Sequence, residues 1–250
     1  MASGFVALIC AVIGGLGGLL VPLLIGRLPE PDPGRENLDD IKVLAHDDAD
    51  EPAKELYADI AARSGLGWQS ALIGAAVGGL VGWSQGASWA LVLLVPAVPL
   101  LTALSVIDLR TRLLPVRLIW PTYAVVVAGI LIAAVATGDG AAVMRAAISA
   151  LVCFVLYFVL WFIYPRGMGF GDVRLSGVLG LMLGYLGIGA LVVGIYAGFL
   201  VFGLPGLVVA IARWDRKLLK VAYPYGPAMI VGALVGVLWG QPIWTALVSR

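Results

Sequence analysis

The sequence predicts an all-α polytopic membrane protein of about eight transmembrane helices with one acidic cytoplasmic loop, and three observations carry that reading. The chain is 61% hydrophobic and 12% charged with a mean hydropathy of +1.02 over 250 residues, too little polar surface to cover a soluble globule of that size. Apolar stretches recur at the roughly 20 residues that a helix needs to cross about 30 Å of hydrocarbon with its backbone groups paired. Charge is concentrated in one place: residues 27–64 hold 11 of the 15 acidic side chains and five basic ones, a local charge of −6.

Eight spans follow, at approximately 3–26, 69–84, 88–107, 117–137, 141–164, 173–186, 188–212 and 226–248. The first has no basic segment ahead of it, is longer than the apolar part of a signal peptide and lacks a convincing cleavage site, so it is expected to stay as a span. Residues 175–212 form one apolar stretch of 38, too long for a single crossing, and Gly184-Tyr185-Leu186-Gly187 is the expected tight turn within it. Cys10 and Cys153 fall inside apolar runs without a CxxC neighbour and read as packing or lipid-facing residues.

Orientation comes from Lys and Arg at the span ends. Arg110, Arg112 and Arg117, then Arg166 and Arg174, then Arg213, Arg216, Lys217 and Lys220 flank three connections that fall on one face if there are eight spans. That face is expected to be cytoplasmic, with the acidic segment on it and both termini outside. Within the segment, Arg27-Leu-Pro-Glu-Pro-Asp-Pro-Gly34 has to be extended or turned. Asn37–Asp50 reads as flexible. Asp50–Arg63 has the pattern of a short amphipathic helix, with Asp50 as N-cap and Leu56 and Ile60 on one face. Three domains result: 1–26, the first helix; 27–68, the acidic loop; and 69–250, a seven-helix core.

Only Asp108, Asp139, Asp172 and Asp215 are acidic outside the loop. A carboxylate costs roughly 2.5–3.5 kcal/mol at a bilayer centre, so one at the end of an apolar run needs a reason. Asp108 ends the third span. Asp172 opens the sixth, after Met168-Gly169-Phe170-Gly171, in a Gly-x-Gly-Asp pattern of the kind used by intramembrane aspartyl proteases. Under the assigned topology both lie at cytoplasmic helix ends and can occupy one depth. If they face each other, repulsion leaves a single proton shared between them. The ionised member can then activate water while its protonated partner polarises a scissile carbonyl. Gly169 and Gly171, with Phe170 between them, would let a substrate strand approach Asp172 without a Cβ in the way.

Each aspartate has a plainer explanation. Asp108 can pair with Arg110, Arg112 or Arg174, and Asp172 can cap its own helix. Asp139, in a Gly-Asp-Gly turn, and Asp215, in a basic loop, read as solvated. The single histidine, His46, lies in the acidic loop with no second histidine to make a metal site. The chain contains no Gly-x-Ser-x-Gly, His-Glu-x-x-His, GxxxxGK[ST] or CxxC, so serine, zinc and P-loop chemistry lack their residues.

The sequence resembles the prepilin peptidases, the type IV leader peptidase family of GxGD membrane aspartyl proteases. Four segments carry the resemblance: Leu24–Pro29, Ile107–Pro115, Gly167–Leu175, and Tyr223-Pro-Tyr-Gly-Pro-Ala228, where the family has Pro-Phe-Gly-Pro. The resemblance implies an aspartic endopeptidase in the bacterial cytoplasmic membrane, its active site facing the cytoplasm. Its substrates would be type IV prepilin-like precursors, whose short basic leader is removed just before an apolar helix. Carried onto matching positions, the catalytic pair is Asp108 and Asp172.

Long members of that family hold zinc through paired CxxC motifs in the first cytoplasmic region and N-methylate the new N-terminus from S-adenosylmethionine. Residues 27–68 contain no cysteine, so zinc is not expected here; proteolysis itself needs no cofactor, and S-adenosylmethionine enters only if methylation is retained. Arg110 and Val116 stand where the family often has acidic residues, leaving Asp108 alone for the first catalytic role. The expected partners are the precursor and the lipid bilayer, with no nucleic acid. The competing reading is a proton- or cation-coupled transporter, which predicts carboxylates near the middle of spans and interrupted helices around a central site.

Overall fold

The computed structural model describes residues 2–30, 55–165, 168–212 and 224–248, and among these it contains helices and no strand. In chain order they are α1 (Ala2–Leu19), α2 (Val21–Gly26), α3 (Tyr57–Ala61), α4 (Leu66–Gln85), α5 (Leu91–Thr111), α6 (Val116–Thr137), α7 (Gly140–Ile163), α8 (Phe170–Leu186), α9 (Ile188–Ala212) and α10 (Gly226–Val248). Helices α1 and α2 form one apolar path, Ser3–Gly26, broken only near Leu20 by Pro22, which has no N–H to give the preceding turn. Among the described residues, six segments are long and apolar enough to cross a bilayer, and the 17-residue α8 and 25-residue α9 complete the eight expected from sequence. Exposed Trp68 and Trp120 lie near the helix ends on the Asp108 side, with Trp83 and Trp89 near the opposite ends, as expected of aromatic belts at two interfaces.

Three local expectations change. The third span runs on to Thr111, so Asp108 lies within the last turn of α5 instead of ending it. The turn expected at Gly184–Gly187 shrinks to one residue: α8 stays helical through Leu186, and Gly187, at φ +131°, makes the break. The short helix of the polar segment covers only Tyr57–Ala61 among the described residues. Leu56 is its extended N-cap and half exposed, and the buried pair is Tyr57 and Ile60, which seat against Val21 and Ile25 of α2. Its N-terminus is capped from a distance: both Glu30 oxygens accept, at 2.8 Å, from the N–H groups of Tyr57 and Ala58. Residues 31–54, with the proposed cap Asp50, His46 and most of the acidic charge, lie outside the described residues, as do Arg166 and 213–223 with Asp215.

Helices without a hydrophobic drive toward one another in lipid associate through close packing, and small residues permit it. On α1 and α4, Gly14 and Gly74 bring their backbones into mutual contact, and Gly78 meets Cys10. Helices α9 and α10 repeat the arrangement, with Gly232 against Gly198 and Gly236 against Gly194. A third close pair is α7 with α8, where Gly180 lies against Ala150 and Gly184 against Ser149. Arg145 also ties this pair, donating from α7 to the Gly184 and Tyr185 carbonyls at 2.9 Å, which satisfies acceptors left free at the end of α8. That contact accounts for a cation on the side otherwise poor in basic residues.

These pairs surround α5. Its apolar window is 67% buried against 22–39% for the other five long spans, and α8 is likewise lined by buried residues from Gly171 to Gly184. The two innermost helices are those that carry Asp108 and Asp172.

Candidate active site

The end of α5 is closed by its own side chains. Thr111 Oγ1 donates to the Ile107 carbonyl at 2.9 Å and accepts from the Leu113 N–H, and Arg112 turns into the left-handed region at φ +54° as the C-cap. Arg112 is the one residue other than glycine with positive φ among those described. The reversal throws Leu113-Leu114-Pro115 back across the helix end, and Pro115 then starts α6. On the inner face of the last turn, Asp108 is 4% exposed, and its Oδ2 accepts from the Gly226 N–H at 3.0 Å.

Gly226 is the first residue of α10, and Pro227 has no N–H of its own, so the carboxylate of α5 meets the free donor end of a helix that begins 118 residues later. A Cβ on Gly226 would lie 2.9 Å from Asp108 Oδ2, so the approach requires glycine there. Of the partners proposed from sequence, Arg112 attracts the Asp108 carboxylate through its charge, but no close ion pair with an arginine holds it among the described residues. The hydrogen bond goes to a backbone N–H, and Arg174 lies instead over the Phe170 ring, 4.8 Å from its centroid.

Asp172 lies at the third position of α8 and is 6% exposed. Its Oδ2 accepts from the Gly169 N–H at 3.2 Å, while its own N–H donates to the Gly169 carbonyl at 3.1 Å, so the plain capping role foreseen from sequence is present. Gly169 is exposed. Phe170 is half-buried and packs edge-on against Trp161 at 5.1 Å. Gly171 is buried, and a Cβ there would lie 2.7 Å from the Leu114 Cβ. Leu114 also touches the Gly226 side of the site, where that glycine's Cβ would lie 3.4 Å from its Cδ1. One leucine of the α5–α6 link therefore wedges between the glycine beside Asp172 and the glycine that holds Asp108. The structure brings the neighbourhoods of the two aspartates together around Leu114 and the start of α10.

Behind this point lies an aromatic slot. Tyr225 packs edge-on against Phe202 with centroids 4.6 Å apart, and its hydroxyl is 3.2 Å from that of Tyr157 on α7. Burial, the neighbouring Tyr157 hydroxyl and the charge of Asp172 push the Tyr225 phenol well above its ordinary value, so it remains a neutral hydroxyl. One turn along α8 from Asp172, Ser176 lines a cavity of about 20 Å³ with Cys153, Tyr157 and Met229, room for about one water. No group of three His, Cys, Asp or Glu suited to a metal occurs among the described residues. Asp139, expected to be merely solvated, is exposed and also caps α7 by accepting from the Ala142 N–H at 2.9 Å.

Sequence reasoning missed Leu114, Tyr157 and Tyr225 as parts of this neighbourhood. Tyr225 is only the neighbour of a signal: the Gly226-Pro227 start of α10 leaves one free N–H that calls for an acceptor, but says nothing of the tyrosine before it. Tyr157, inside an apolar run, offered none.

Residues 93–211 match the model of the type IV leader peptidase family, a stretch that contains both aspartates. Three curated relatives carry the name prepilin leader peptidase/N-methyltransferase. That of Pseudomonas putida is 28% identical over 176 residues, covering 67% of this chain and 56% of that protein. That of Aeromonas hydrophila is 31% identical over 145 residues, covering 57% and 48%, and that of Aeromonas salmonicida is 31% identical over 145 residues, covering 57% and 47%. The chain thus spans about half the length of the curated relatives it matches. No solved structure matches it.

Proposed function

We propose that the chain, whose residues 93–211 match the model of the type IV leader peptidase family, is a membrane aspartyl endopeptidase with Asp108 and Asp172 as its catalytic pair. Its substrates on this reading are prepilin-like precursors, cut between a basic leader and the apolar helix that follows, at the cytoplasmic face of the cytoplasmic membrane. The observation that carries the reading is that both buried carboxylates belong to helix ends joined through Leu114 and Gly226.

In the reaction, the ionised aspartate takes a proton from water as the water attacks the scissile carbonyl. The protonated partner donates to the carbonyl oxygen; when the tetrahedral intermediate collapses, the C–N bond breaks, the proton taken from water passes to the leaving amine, and the hydroxyl proton returns to the partner carboxylate. The Gly226 N–H gives Asp108 a charge-assisted hydrogen bond that orients its carboxylate. Exposed Gly169 marks the side from which an extended substrate strand reaches Asp172, while Gly171 serves the fit with Leu114. Zinc is not part of this reading. S-adenosylmethionine would supply a methyl group for the new N-terminus, a second activity supported only by the names of the relatives. No residue here is assigned to it, and no step depends on it.

The test is to reconstitute the chain in bilayers with a precursor that has a basic leader ahead of an apolar helix. Cleavage at that junction, read by product mass, is the expected result, and the same measurement reports whether a methyl group has been added. A chain that leaves the precursor intact but collapses a proton or cation gradient across the vesicle would instead be a transporter.

A further inference from the structure

We propose that the hydroxyl pair of Tyr157 and Tyr225 is a positioning device that fixes the Asp108-bearing end of the site relative to the Asp172-bearing end. The inference deepens the peptidase reading and rests on it for its kinetic arm alone. Tyr157 belongs to α7, whose backbone lies against α8 at Gly180 and Gly184, so close that a Cβ on Gly180 would lie 2.8 Å from Ala150 Cα. With Arg145 binding the last carbonyls of α8 as well, α7 and α8 are one unit, and that unit carries Asp172.

Tyr225 is joined by one peptide bond to Gly226, whose N–H holds Asp108 at 3.0 Å. The direction of that N–H depends on the plane of the Tyr225–Gly226 peptide, and the Tyr225 ring is what anchors the plane from one side. The ring is clamped by Phe202 at 4.6 Å, Phe199 at 6.0 Å and Tyr157 at 6.0 Å. Aromatic faces permit sliding; a hydrogen bond at 3.2 Å between two buried hydroxyls does not, because each would otherwise be left without a partner in an apolar surround. Tyr157 and Tyr225 are 3% and 4% exposed, so water has little access to replace either hydroxyl.

The other bridge between the two ends, Leu114 against Gly171 and Gly226, is purely apolar and fixes distance without direction. The hydroxyl pair is the polar, directional link. Both tyrosines act through Gly226 and are positioning residues, not groups that touch the substrate.

The experiment uses the full chain in nanodiscs and three variants, Tyr157→Phe, Tyr225→Phe and the double, each of which keeps the ring and loses only a hydroxyl. Hydrogen exchange of the Gly226 amide, read on peptides spanning 224–229, is expected to speed up about tenfold in either single variant and no further in the double, as for two halves of one bond. On a basic-leader precursor, kcat should fall about fivefold in each with KM unchanged. Asp108→Asn, which weakens the acceptor itself, is the positive control for exchange. If Gly226 exchange is unaltered in both single variants while that control responds, or if the two effects multiply in the double, the pair does not position Asp108. Faster exchange with unchanged kcat would equally overturn the catalytic role. Should the wild-type chain cleave no precursor, the peptidase reading fails, yet the exchange arm still decides whether the link exists.

Discussion

Asp108 and Asp172 each face the N-terminal end of a helix, but one is held by its own segment and the other by a helix that starts 118 residues away. Asp172 accepts from Gly169, three residues back, in a geometry that a lone helix start can make. Asp108 belongs to the C-terminal turn of α5, where the helix's own dipole offers a carboxylate nothing, and it relies on the free N–H of α10. The local site is built from one segment, Gly169 to Asp172. The distant one exists only when α5, the Leu113–Pro115 link and α10 have docked. One carboxylate is therefore held within its own helix start and the other only across the packed bundle.

Glycine substitutions bear hardest on this contrast. Gly226→Ala puts a methyl 2.9 Å from Asp108 Oδ2 and forces the acceptor off its donor. We expect a loss of about 100-fold in kcat for leader cleavage, in the range seen when one oriented donor is removed from an active site. Gly169→Ala adds a methyl whose nearest neighbour is Asp172 Oδ2 at 3.7 Å, an ordinary contact, so kcat should stay within about threefold of wild type and any cost to the substrate's approach should appear in KM. Initial rates at matched membrane levels decide the matter, and equal losses in the two variants would erase the distinction.

The wedge between the two ends is tested next. Gly171→Ala would bring two Cβ atoms to 2.7 Å at Leu114, an overpacking that costs about 1–3 kcal/mol and should lower the melting temperature. Adding Leu114→Ala should restore part of it. If the double variant melts lower than either single, Leu114 is not the obstacle.

Smaller effects are expected away from the site. Glu30→Ala removes the carboxylate that caps α3 and should cost about 1 kcal/mol locally, visible as faster exchange at Tyr57 and Ala58 with cleavage little changed. Asn in place of Asp39, Asp40, Asp47, Asp48 and Asp50 should raise KM for a basic-leader substrate at low salt and leave kcat nearly unchanged. The difference should fade as added salt brings the Debye length toward about 8 Å and below. A KM indifferent to both changes would make the segment only a linker.

Much of this architecture was legible because membrane spans obey a length rule, and the eight stretches read from hydropathy agree with helix limits to within a few residues. Gly-x-Gly-Asp was legible for the same reason that Asp172 is locally held: glycine, spacing and carboxylate are neighbours in sequence. The Asp108–Gly226 bond was not, since nothing in the sequence around Asp108 names a donor that arrives from the last helix. The left-handed Arg112 that redirects Leu114 was equally hidden, because an arginine gives no warning of positive φ. The amphipathic pattern at 50–63 misled about which residues pack: Leu56 and Ile60 are correctly spaced for a helical face, yet the helix begins at Tyr57 with a cap brought from Glu30.

The central claim is that the two aspartates act as one pair, and the Asn series tests it most directly. Cleavage of a basic-leader precursor should be measured for Asp108→Asn, Asp172→Asn and the double in proteins inserted to equal levels, with Asp139→Asn and Asp215→Asn alongside. Each single dyad variant should lose at least about 1000-fold in rate, the double should be hardly worse than either, and the two controls should cleave normally, since each partner's role depends on the other's proton or charge. A single variant that keeps a substantial share of wild-type activity, or a double in which two partial losses multiply, would contradict the pair.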